Sequence, residues 1–145
     1  MADAPTIDFH VNVDDCIGYA CRVVRKARSA GNTILVYCRD HERLMRLDRA
    51  LWTFSALDFL PHVALPSALA PQTPIWLSQT PPDDARDLLL LLDAEPAPQF
   101  TAWFAHFTRV IDLASKDPAD RAQARSRFKA YRDAGLTAVV HDIGA

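Results

Sequence analysis

With 145 residues, half of them hydrophobic and 23% charged, the chain has the size and balance of one globular domain around a single core, which excludes a disordered chain and a tandem array. Its 16 Lys and Arg stand against 18 Asp and Glu, a formal net charge of -2, so it does not coat DNA through its overall charge and any anion binding must come from a local patch. The longest apolar run is the five leucines Leu88 to Leu92, against the ~20 residues of a membrane span, and Asp3, Asp8, Asp14 and Asp15 interrupt any signal-peptide pattern. A soluble, cytoplasmic protein with no membrane partner is expected.

In chain order, Thr6 to Val11 alternates apolar and polar residues and predicts a strand with one buried face. Asp14 and Asp15 can cap an amphipathic helix whose inner positions include Ile17, Cys21 and Val24, whose outer face carries Arg22, Arg25, Lys26 and Arg28, and which Gly31 ends. Thr33 to Cys38 is nearly all apolar, as in a strand buried on both faces, so the first three elements suggest a right-handed βαβ unit. A second helix is predicted from Asp40 to about Phe54, followed by a loop through Pro61, Pro66 and Pro71. Pro74 to Ser78 predicts a third strand, and Leu88 to Leu92 a central parallel one, since five residues are too few for a helix. A short helix from Ala97 to about His106, a strand from Phe107 to Leu113, a helix from Asp117 to Ala134 stopped by Gly135, and a strand from Leu136 to Ile143 complete the pattern. The alternation implies a single-domain, three-layer Rossmann-like α/β sandwich with a mostly parallel sheet over residues 1–145.

The catalytic and cofactor signatures of such sheets are missing. A dinucleotide or phosphate loop needs glycines where the first strand meets its helix, but here the junction reads Val11-Asn12-Val13-Asp14-Asp15, and two carboxylates repel phosphate. The four glycines form no GxGxxG, GxxxxGK[ST] or GxSxG pattern, and the five histidines show no HExxH spacing. Cys16, Cys21 and Cys38 are odd in number and read as reduced thiols; with Cys38-Arg39-Asp40-His41 they do not complete a tetrahedral zinc set. No catalytic residue, metal or cofactor is expected.

Two helices carry more information. At 100° per residue, Arg121, Arg125, Lys129 and Arg132 fall within an arc of about 80°, Phe128 borders it, and Ala124 and Tyr131 continue into the apolar face. This stripe is either a solvated basic face or a pocket for an acidic peptide ending in an apolar residue. On the second helix Leu44, Leu47 and Leu51 form the core stripe, while Met45 and Trp52 lie about 100° away with Asp48 between them. Trp52 and Phe59 then form either an exposed aromatic patch or additional core.

These segments resemble the chi subunit of the bacterial DNA polymerase III clamp loader. The resemblance rests on Arg46-Leu47-Asp48-Arg49-Ala50-Leu51-Trp52, on Phe59-Leu60-Pro61-His62, and on Arg125-Ser126-Arg127-Phe128-Lys129-Ala130-Tyr131-Arg132-Asp133-Ala134-Gly135. It extends over essentially the whole chain and implies a Rossmann-like sheet without nucleotide or catalysis. By this resemblance Trp52, Phe59, Pro61 and His62 would face the psi subunit, a surface a helicase could share, and Arg121, Arg125, Phe128, Lys129 and Arg132 would bind the acidic C-terminal tail of single-stranded DNA-binding protein. At Phe128 the family often carries tyrosine or tryptophan, so the ring survives without a hydroxyl or indole donor; the acidic start at Asp3 and the segment Val139 to Ala145 also depart from the pattern. The expected function is therefore a non-catalytic replication adaptor with little direct nucleic-acid binding. The alternative is a small nucleotide- or metabolite-dependent enzyme on the same sheet.

Overall fold

The computed structural model describes residues 5–54 and 60–144. Among them, seven strands form one sheet: β1 (Ile7–Val13), β2 (Ile34–Tyr37), β3 (His62–Ala64), β4 (Ile75–Ser78), β5 (Arg86–Leu91), β6 (Phe107–Ser115) and β7 (Ala138–Asp142), in the order β3-β4-β2-β5-β6-β1-β7. Every pairing is parallel. Two helices, α1 (Cys16–Ser29) and α2 (His41–Thr53), share a core with one face; α3 (Phe100–Trp103) and α4 (Pro118–Asp133) pack on the other.

The all-apolar strands follow from this sandwich, because successive side chains point to opposite layers and both layers are dry. Ile34 and Val36 of β2 join the core beneath α1 and α2, whereas Leu35 and Tyr37 join the one beneath α3 and α4. Leu88, Leu90 and Leu92 divide from Leu89 and Leu91 in the same way, and β5 sits at the middle of the sheet.

Helix boundaries have local causes. The Asp15 carboxylate accepts the N–H groups of Ile17 and Gly18 at 3.2 and 3.1 Å, and Asp117 accepts those of Ala119 and Asp120 at 2.8 and 3.3 Å. Such N-caps contribute about 1 kcal/mol each. Pro118 stands at the first helical position, where its missing N–H costs nothing. Gly31 and Gly135 leave their helices at φ of 84° and 85°, a region that glycine enters without a Cβ clash.

Several expectations are corrected. The stretch read as a loop around Pro61 holds β3, which pairs with β4 at the sheet edge, and a 3-10 turn at Ala70–Gln72. Three residues with one buried side chain are too short to show a strand period. The expected helix from Ala97 begins only at Phe100 and tightens into a 3-10 turn at Phe104–His106. The first strand runs on to Val13 through an irregularity between His10 and Val13, where Asn12 takes a φ of 60°. The sheet itself bears out the expected Rossmann-like sandwich, with every pairing among the described strands parallel.

Candidate functional site

The basic stripe of α4 borders a groove of about 560 Å³ on the α3 and α4 face of the sheet. Phe9, Val11 and Asn12 of β1 lie beneath it, and Val140 and Asp142 of β7 face α4 across it. Val11 and Asn12 are consecutive yet both line the groove, which the irregularity in β1 permits by breaking the alternation of a regular strand. From α4 come Arg121, Arg125 and Phe128; the two arginines are exposed and Phe128 is half-buried. The Phe128 ring stands edge-on to Phe9, centroids 5.7 Å apart. Lys129 and Arg132 are exposed but do not line the groove, and the Arg132 guanidinium lies 5.7 Å from the Phe128 centroid. Asn12 adds an amide and Asp142 one carboxylate to an otherwise cationic and apolar site.

The helix is held in place by a charge that the sequence reading left unremarked. Arg127 is 1% exposed and Asp112 on β6 is fully buried. The Arg127 Nε donates to Asp112 Oδ2 at 3.0 Å, its other nitrogens donate to the carbonyls of Ala94 and Leu113, and the Tyr131 hydroxyl donates to the same Oδ2 at 3.0 Å. Asp112 Oδ1 has no partner among the described residues. Burial pushes the Asp112 carboxyl above its ordinary value against the opposing pull of Arg127, and burial together with the Asp112 charge raises the Tyr131 phenol. The signal was helical position: Arg127 sits three residues after Ala124 and four before Tyr131, at the middle of the buried face.

The second candidate face lies at the opposite edge of the sheet. Leu44, Leu47 and Leu51 of α2 are buried, and Trp52 is 57% exposed, so the exposed reading holds for this ring. Beneath it sits His62 of β3, buried, with ring centroids 4.7 Å apart. His62 Nδ1 is placed to donate to the Leu60 carbonyl at 2.6 Å, and Nε2 lies 3.2 Å from both the carbonyl and a carboxylate oxygen of Asp48. His62 therefore ties α2 to the sheet edge and supports Trp52 from below, and Pro61 beside it is half-buried. Phe59 lies outside the described residues.

The family model described as DNA polymerase III chi subunit, HolC, matches residues 5–139, which include α4 and the Trp52 face but not Val140 and Asp142 of the groove. The chain belongs to the DNA polymerase III chi subunit family. It is 38% identical over 117 residues to the DNA polymerase III subunit chi of Pseudomonas aeruginosa, covering 80% of this chain and 78% of that protein. It is also 30% identical over 148 residues to the subunit of Haemophilus influenzae, covering 97% and 99%, and 34% identical over 119 residues to that of Escherichia coli, covering 80% and 78%.

In this chi-family chain the crevice at the carboxyl ends of the strands, where related sheets take ligands, is lined by Asp14, Asp15, Asp117 and Asp120 together with Arg43 and Arg46. The N-termini of α1 and α4 are already occupied by the carboxylates of Asp15 and Asp117, so a phosphate there would meet like charge. Cys16 and Cys38 are pushed up to about 12 and about 11, mainly by burial, which makes both poor nucleophiles at neutral pH. Among the described residues no group of three or more His, Cys, Asp or Glu is arranged to hold a metal ion, and no helix is long and apolar enough to cross a membrane.

Proposed function

We propose that this replication accessory subunit is a non-catalytic adaptor, joining the clamp loader through a psi subunit at Trp52 to the acidic tail of single-stranded DNA-binding protein at α4. The observation that carries the tail reading is the coincidence of Arg121, Arg125 and Phe128 on one wall of a groove with an apolar floor, since an acidic peptide with an apolar end and a free carboxylate needs both chemistries side by side. Phe9, Val11 and Phe128 would take the terminal side chain, and Arg125 or Arg121 would pair with the terminal carboxylate. Lys129 and Arg132, outside the groove, would meet the upstream aspartates at longer range.

The exposed cations contribute about 0.2–1 kcal/mol each, so binding should be micromolar and should weaken as salt rises. Fluorescence anisotropy with a peptide of several aspartates and an apolar free-acid end tests this reading. Amidating the peptide, or changing Arg125 to Glu, should cost more affinity than removing one aspartate. Equal binding of free-acid and amidated peptides would leave the stripe as a solvated basic face.

A further inference from the structure

The outer cations of α1 have no role in either partner face. Two of them, Arg22 and Lys26, line a separate cavity of about 320 Å³ on the opposite side of the sheet from the α4 groove. Arg109 of β6, His10 of β1, Tyr19 and Asn32 add to its polar lining, and Leu88 and Ile111 supply an apolar wall. Among the described residues, no carboxylate lines the cavity. Asp8, two residues before His10 on β1, is already engaged: Oδ1 lies 2.9 Å from His141 Nε2 and Oδ2 lies 3.8 Å from Arg109. His10 is fixed by its Nδ1 contact with the Tyr19 hydroxyl, and its ring centroid lies 5.3 Å from that of His141.

Three permanent cations border one open surface cavity in a chain of net charge -2, more than a monoanion needs even with Asp8 3.8 Å from Arg109. The charge pattern also changes along the sheet: the crevice at the carboxyl ends of the strands mixes four aspartates with Arg43 and Arg46, whereas this cavity is bordered by cations. We propose that the cavity binds a phosphate monoester, with Arg22, Lys26 and Arg109 around the dianion and its organic part against Leu88 and Ile111. Guanidinium forks match phosphate oxygens in pairs, and the apolar wall gives an attached organic group an advantage over free phosphate. Burial first, then His141, hold His10 below its ordinary value; Asp8 pulls the other way, and Arg109 and Lys26 of the cavity add smaller downward contributions. A bound dianion would act in the opposite direction and raise it.

Phenyl phosphate is the first probe, followed by NMR of the His10 and Tyr19 side chains at neutral pH. Saturable shifts at both rings, at least tenfold tighter than with inorganic phosphate, are expected, together with a rise in the His10 titration midpoint. The double variant Arg22→Gln, Arg109→Gln alters exposed side chains and should keep its circular dichroism while weakening binding at least tenfold. Arg125→Gln, in the α4 groove, should leave it unchanged. Adenosine monophosphate and a 5′-phosphorylated tetrathymidylate distinguish a free nucleotide from a strand end as the source; either one binding supports the site. Equal binding of the 5′-hydroxyl oligonucleotide, equal binding of inorganic phosphate, unmoved His10 and Tyr19 signals at high phenyl phosphate, or loss of binding in Arg125→Gln would each overturn the proposal. The tail peptide titrated on the same variants reads the adaptor function separately, so the two can fail independently.

Discussion

The two faces differ in how they are fastened to the sheet. The α4 face is bolted to β6 from within by the buried Arg127–Asp112 pair, with Tyr131 on the same oxygen, and presents its cations on the far side of the helix. The Trp52 face sits at the edge formed by the three-residue β3, where a buried His62 bridges to Asp48 of α2 and the aromatic ring lies on top. One surface is therefore positioned by a charge deep in the core, and the other by a histidine at the margin. Stability and recognition should be coupled strongly at the first and weakly at the second.

The largest effect should come from breaking the buried pair. Arg127→Met leaves the Asp112 carboxylate buried without its counter-charge, and loss of one member of such a pair costs about 3–5 kcal/mol. Urea denaturation should show that loss. The double variant Arg127→Met, Asp112→Leu should recover much of it, because two apolar side chains need no desolvation compensation. If the single variant melted like the parent, the α4 face would not depend on this pair, and the contrast between the two faces would collapse.

A smaller and more selective effect is expected at Trp52. As a 57% exposed ring on a helix whose core stripe is elsewhere, its change to Ala should cost the fold under about 1 kcal/mol. Binding to a psi subunit should weaken by about 2–4 kcal/mol, the range of an aromatic anchor, with tail affinity unchanged. A thermal melt followed by calorimetry on each partner separates these effects. A variant that loses stability but keeps psi affinity would make Trp52 a lid over His62 instead of an anchor.

The same contrast explains what could be read from the residues alone. The helices and the two-faced strands were legible because their periods are local: Ile34 to Tyr37 and Leu88 to Leu91 are apolar throughout because both layers are dry. The cationic side of the groove was legible from helical spacing. Its floor was not, since Phe9, Val11 and Val140 meet α4 only once β7 pairs with β1 and β1 with β6, and strand order leaves no local trace. Arg127 was missed because a charged side chain reads as surface unless its position within the buried stripe is weighed above its chemistry. His62 was expected as a partner contact, yet a single buried residue in a three-residue strand carries no period that would place it under Trp52.

The smallest expected effect lies away from both faces, at His10. Burial first, then His141, with smaller contributions from Arg109 and Lys26 and against the pull of Asp8, depress its proton affinity in the folded chain below the ordinary value of 6.5. As pH falls through 6.5, the unfolded chain takes up its proton before the folded chain does, so the stability linked to this residue is full above that value and is lost below it. His10→Gln removes the titration while leaving an amide within reach of the Tyr19 hydroxyl. Melting temperatures at pH 7.5 and 5.5 should therefore lie closer together in the variant than in the parent, by a small margin, because the ring is only half-buried and water screens much of the field. An unchanged gap would move the acid sensitivity to other groups and would weaken the case for a positive field in the α1 cavity. The Arg127 and Trp52 effects should be indifferent to this substitution, since neither residue touches β1 at His10.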